Sequence, residues 1–175
     1  AFAGVINVIT KSGSEIDGVH TGIRGGSFET GNAWLQAGTA GAGWDLGASV
    51  EWLKSEGDRG RRVDADRQTA LDATYGTNAS LAPGPLETRH DILNANLHAG
   101  VGDWTLRLWS WLQDDGGVGP GGAQALDPEG GTNLDLFMAN LEYHDTDPLN
   151  WDVQGRLAYD YLHSRTDFAL LPPDA

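Results

Sequence analysis

The stretch Ala1-Phe2-Ala3-Gly4-Val5-Ile6-Asn7-Val8-Ile9-Thr10-Lys11 differs in kind from the rest of the chain. Val5, Ile6, Val8, Ile9 and Thr10 crowd together, and β-branched residues fit a pleated strand and resist a helix. Val5 and Ile9 point one way and Ile6 and Val8 the other, the pattern of a strand buried on both faces. After Ser12-Gly13 the rhythm changes to apolar–polar alternation with period two and keeps it to the end. One short buried strand thus precedes a long series of half-apolar strands. Read locally, it is the first strand of an ordinary β-sandwich, and the rest of the chain decides against that.

The alternating segments fall at about 16–26, 30–40, 44–55, 88–101, 104–113, 132–144 and 151–166. Gly-rich or Pro-containing turns separate them at 25–29, 41–43, 102–103 and 145–150, with long loops at about 56–87 and 114–131. If the first segment rises, the turns at 41–43, 102–103 and 145–150 share one end, and both long loops share the other, where only the turn near Ser27 is short. Outer-membrane barrels segregate loop lengths in this way, and a soluble sandwich has no reason to. Trp44, Leu46, Ala48, Val50 and Trp52 alternate with Asp45, Gly47, Ser49 and Glu51, and the segments from 88, 104 and 151 onward split likewise. The expected fold class is all-β: an antiparallel up-and-down meander forming part of a transmembrane β-barrel.

Size and composition agree. The 175 residues carry 25 acids against 11 bases, a formal charge of −14, which excludes a basic nucleic-acid surface. Without cysteine there is no disulfide frame and no thiolate metal site. No apolar run reaches the ~18 residues of a membrane helix, but a barrel strand needs only ~10 alternating residues. Trp44, Trp104 and Trp151 each open a segment directly after a short turn, the height of an interfacial aromatic girdle. With neither a signal peptide nor a complete first strand, the chain reads as a piece of a longer polypeptide.

Phe2 to Lys11 resembles the end of the plug domain in TonB-dependent outer-membrane receptors, where a G-V-I-N-[IV]-I-T-K segment leads into the first barrel strand. Gly26-Ser27-Phe28 is similar to that family's G-S-[FY] turn between its first two strands. The resemblance implies that residues 1–13 end a plug domain. Residues 14–175 would then be the first seven or so strands, roughly a third of a 22-stranded barrel. It implies gated import of a scarce large nutrient such as a ferric siderophore or cobalamin, in the outer membrane of a Gram-negative-type cell. The implied partners are outer-membrane lipid, a metal-chelate or vitamin-type ligand, and the TonB complex through an N-terminal part not represented here. A passive porin-like barrel would lack the strand at Gly4–Lys11. A soluble adhesin or carbohydrate-binding module would instead require a closed core.

Other motifs carry less. Gly117-Val118-Gly119-Pro120-Gly121-Gly122 matches G-x-G-x-x-G, yet Pro120 interrupts it, no helix pattern follows and Asp114-Asp115 would repel a phosphate, so it reads as a loop. Asp58, Asp64, Asp66 and Asp72 offer oxygens to a calcium ion, but Arg59, Arg61, Arg62 and Arg67 balance them. The span from Asp64 to Tyr75 reads as a short helix with an Asp cap and Gly76 at its end. The five histidines have no ligand spacing and no nucleophile elbow is present, so neither an enzyme nor a cofactor is expected. On the polar faces lie Arg24, Gln36, Glu51, His98, Arg107, Glu142 and Arg156, expected to line the lumen and meet the plug or a ligand. Trp109 and Trp111 share that face near the expected outer end of their strand, where large aromatics stack on a bulky ligand or on a plug loop.

Overall fold

The computed structural model describes residues 10–146 and 151–170. The strand expected over Gly4–Thr10 lies outside these residues except for Thr10, which is in irregular backbone. The chain is all-β in its main body. Seven strands form one antiparallel sheet: β1 (Gly18–Gly26), β2 (Thr30–Gly41), β3 (Trp44–Ser55), β6 (His90–Val101), β7 (Trp104–Gly117), β8 (Gly131–Thr146) and β9 (Asp152–Asp167). Each pairs with its neighbour in chain order, so the sheet is an uninterrupted meander with β1 and β9 as its two edges. β4 (Arg62–Val63) and β5 (Gly84–Pro85) pair with each other inside the first long loop.

The short turns fix the register. Gly41 pairs with Trp44 and Val101 with Trp104, leaving two-residue connections. Gly43 (φ 78°) and Gly102 (φ 56°) take left-handed conformations that a side chain would oppose. Gly102 N–H donates to the Gly43 carbonyl at 2.9 Å and His144 N–H to the Asp103 carbonyl at 2.9 Å, tying neighbouring turns into one rim. The long connections gather at the opposite end. There α2 (Arg67–Tyr75) starts from Asp66, whose carboxylate accepts the Thr69 N–H at 2.9 Å, and ends at Gly76 in the left-handed region (φ 72°). The cap is Asp66 and not Asp64, because Thr69 three residues on supplies the reciprocal hydroxyl.

Among the described residues the sheet has no second layer beyond the single turn of α1. Among the described residues only Ile16 and Leu126 are buried hydrophobics, 9 % and 7 % exposed. Soluble domains bury the apolar side of a sheet against another element. Here Val19, Ile23, Leu35, Leu46, Val50, Leu93, Val101, Leu112, Val153 and Leu157 share one face and are exposed. Roughly half-exposed, ten such side chains forgo on the order of 10 kcal/mol, comparable with the whole stability of a domain. The sandwich expected from a purely local reading of the first strand is not what the described residues form.

The opposite, polar face carries α1 (Gly13–Ile16), a single helical turn where the first alternating segment was expected to start. Ser12-Gly13-Ser14-Glu15 is an S-x-x-E sequence: the Glu15 carboxylate accepts the Ser12 N–H at 2.8 Å and its hydroxyl at 2.9 Å. Asp17 ends the turn at φ 45°, so β1 begins at Gly18.

Candidate functional site

The candidate side chains from the sequence come together on the α1 face in separate groups. Near the short-turn rim, the Asp45 carboxylate on β3 accepts backbone N–H bonds from Gly13 and Ser14, 2.8 Å each. His98 on β6 places Nε2 3.2 Å from Asp45 Oδ1. Gln36 and His98 line one cavity with Thr10, Lys11 and Ile16, so these two candidates lie beside the segment entering the sheet.

Further along, Arg24 Nη2 stands 4.0 Å from Glu51 Oε1, the same oxygen that accepts from Asn32 Nδ2 at 2.8 Å. Trp34, absent from the sequence candidates, belongs here: it pairs with Glu51 and lies over Gly22. A Cβ on Gly22 would sit 2.7 Å from Cε2, Cζ2 and Nε1 of that indole at once, so the ring lies flat on β1. Its place on the polar face follows from counting by twos from Gln36, the signal that would have found it.

On the other side, Arg107 Nη1 donates to Glu142 Oε2 at 2.5 Å. Arg156 approaches Glu142 Oε1 at 4.0 Å and donates to Asn140 Oδ1 through Nη2 at 2.6 Å. These pairs are half-exposed and contribute under ~1 kcal/mol each. Their larger effect is on charge: Glu51 offsets Arg24, while the single Glu142 carboxylate is shared between Arg107 and Arg156.

Trp109 and Trp111 meet edge to face, with centroids 6.5 Å apart and planes at 80°. Trp109 donates from Nε1 to Asn94 Oδ1 at 2.8 Å, while the buried Trp111 Nε1 has no partner. They were expected near the outer end of their strand. β7 continues past a bulge at Gln113–Gly116 to Gly117, which puts both near its middle.

The expected interface tryptophans lie on or beside the other face. Trp44 and Trp104 both pair with Val101 on the apolar side and are 43 % and 51 % exposed. Tyr143 joins their row opposite Trp104. Trp151 stands just before β9 at the same end, 73 % exposed. Trp52 marks the other end of the apolar face, donating from Nε1 to Asp91 Oδ1 at 2.6 Å. One step beyond, Lys54 pairs with Asp91, so charge replaces the apolar row.

At the long-loop end the two loops form one cap. Arg67 N–H donates to the Gln124 carbonyl at 3.0 Å and Leu126 N–H to Asp66 Oδ2 at 3.0 Å. Arg89 links Glu87, Asp115 and the Gly130 carbonyl. Asp72 accepts from Thr77 Oγ1, Gln68 Nε2 and the N–H groups of Ala79 and Ser80. Foremost the Thr77 hydroxyl, with these other donors, holds its carboxyl far below the usual range against desolvation. Desolvation pushes Asp66 upward, but donors from Leu126, Ser80 and Thr69 outweigh it and lower the pKa. Two of the four carboxylates that suggested calcium, Asp66 and Asp72, are thus engaged by the protein's own donors, and among the described residues no three His, Asp or Glu side chains are placed to share an ion.

No helix of the described residues is long and apolar enough to cross a membrane, which leaves crossing by strands open. No protein-family model, curated protein or solved structure matches the chain.

Proposed function

We propose that this chain is part of an outer-membrane β-barrel receptor of the TonB-dependent kind, comprising the end of the plug and the first seven strands. Its work is to bind and import a scarce large nutrient, a metal chelate or a vitamin-type molecule. The observation that carries the membrane part of this reading is the exposed apolar face backed by a polar face. Lipid covers such a face without a second protein layer, and the remaining strands of a closed barrel would pair with the open edges of β1 and β9. The height agrees. Trp44 and Trp52 are eight residues apart on β3, about 27 Å along a strand, or ~20 Å of height at a tilt of ~40°. The receptor part rests on the resemblance of Phe2–Lys11 and Gly26-Ser27-Phe28.

Two steps test it. The full-length protein should partition to the outer membrane and need detergent for extraction; extraction into plain buffer contradicts the barrel. The purified receptor should then bind at least one member of a panel of ferric siderophores and cobalamin, with uptake lost in cells lacking TonB. Uptake that persists there would favour a passive pore.

A further inference from the structure

The polar face carries an array of side chains that the fold itself does not use. Strand register lays it out in two rows across β2, β3, β6 and β7. One row is Gln36, Ser49, Asn96 and Trp109; the next is Trp34, Glu51, Asn94 and Trp111. Indoles stand at both ends and the side chains between them are polar. Each row is about 14 Å wide, three strand spacings of ~4.8 Å. Among the described residues Gln36, Ser49 and Asn96 make no side-chain hydrogen bond, although each is half-buried. Glu51 engages Oε1 with Asn32, and Asn94 engages Oδ1 with Trp109, which leaves Glu51 Oε2 and Asn94 Nδ2 open. Trp34, Gln36, Ser49, Glu51 and Asn94 line one cavity, and Gln36 and Ser49 line the neighbouring one with Asn96. Trp34 rests one ring face on Gly22, so its other face looks away from the sheet. Trp109 is held by its bond to Asn94 and by its edge-to-face contact with Trp111. Both indoles are thus fixed as stacking surfaces. Glu51 is the one charged side chain in the two rows, and Arg24 Nη2 stands 4.0 Å from its Oε1, so the array is close to neutral.

We propose that this array is a subsite for a neutral oligosaccharide, which stacks on Trp34 and Trp109 and hydrogen-bonds to Gln36, Ser49, Asn96 and Glu51. This rests on the reading of the polar face as the lumen of a barrel, and it adds a third ligand class to metal chelates and vitamin-type molecules. Amides, a hydroxyl and a carboxylate together call for groups that both donate and accept, which is what sugar hydroxyls do. The indoles call for an apolar ring face, and a pyranose presents its C–H groups there. An anionic iron chelate would meet the Glu51 carboxylate and find the nearest guanidinium already offset by it.

The test is calorimetric titration of the full-length protein, in a detergent without a sugar headgroup, with maltohexaose, cellohexaose and chitohexaose. At least one should bind. Trp34→Ala should weaken that binding on the order of tenfold, and Trp34→Phe should recover part of it. Gln36→Ala and Asn96→Ala should each weaken it several-fold. Trp104→Phe, on the opposite face, should leave it unchanged. A protein that inserts into the outer membrane yet binds none of the three sugars overturns the subsite. Binding that keeps its wild-type affinity in Trp34→Ala and Gln36→Ala places the sugar elsewhere, overturns the subsite and reduces Trp34 to packing. Should Trp34→Ala fail to fold, Gln36→Ala and Asn96→Ala decide alone. Extraction of the full-length protein into plain buffer contradicts the barrel reading itself and takes the subsite with it.

Discussion

Trp104 and Tyr143 are register partners on β7 and β8, with ring centroids 4.8 Å apart and planes tilted by 47°. Both lie on the apolar face, Trp104 directly after the 102–103 turn, and the backbone beneath them is tied across by His144 N–H to the Asp103 carbonyl. The pair forms a rim: an amphipathic ring row between the apolar face and the turns. Trp104→Ala should lower the stability of the full-length protein in vesicles by on the order of 1 kcal/mol beyond the lost area. Urea unfolding monitored in lipid reads this, and Trp104→Phe should recover most of it.

Charge should discriminate between the two faces of the sheet. Leu97 lies on the apolar face at mid-strand, between Ala48 and Leu108. Leu97→Arg should cost on the order of 2–4 kcal/mol for folding into lipid vesicles. Leu106→Arg, two residues from Trp104, should cost less because it lies nearer the rim. Asn96→Arg, on the polar face, should cost least of the three. Equal losses would contradict a lipid-facing side.

The cap formed by the long loops should respond to acid alone. Asp66 and Asp72 have lowered pKa values in the folded state, so their stabilisation is present above the unfolded carboxylate range and is lost as pH falls through the folded values. Proteolysis of residues 56–89 should be flat between about pH 5 and 8 and rise only below ~4. Asp66→Ala, which removes a helix cap and the bond from Leu126, should expose the same loop at neutral pH at about 1 kcal/mol from the cap alone. Added calcium should not restore it.

The 175-residue chain by itself should not behave as a soluble monomer. Among the described residues β1 and β9 each have one unpaired edge, and one face of the sheet is apolar. Open edges are sticky in water and unsatisfied in lipid. Light scattering should show association in plain buffer, and a monodisperse species that unfolds cooperatively would count against the partial-barrel reading.

Most of the sheet was legible because period-two alternation is strong here. β3 was read as Trp44–Ser55 and forms over those residues. The two tight turns were visible in Gly43 and Gly102. Where reading fell short, a local hydrogen-bond pattern outcompeted strand rhythm. Ser12 and Glu15 make a helical turn where alternation suggested the start of β1, although S-x-x-E was there to be read. A bulge after Gln113 carries β7 to Gly117, and loop composition hid it. The polar-face candidates share one face of the sheet, as parity implies, but their grouping into Arg24–Glu51 and Arg107–Glu142–Arg156 depends on register between strands, which one strand's pattern does not encode. Trp34 was missed because a large aromatic reads as apolar-face until its parity is counted.

The most direct measurement is a spin-label scan along β3 of the full-length protein in a bilayer, made simple by the absence of cysteine from these 175 residues. Labels at positions 45 to 52 are tested in turn against lipid-dissolved oxygen and a water-soluble nickel chelate. The expected result is a period of two, with 46, 48, 50 and 52 open to oxygen and 45, 47, 49 and 51 shielded from it. Equal accessibility at all eight positions, or nickel access at 48 and 50, would contradict a membrane-facing sheet.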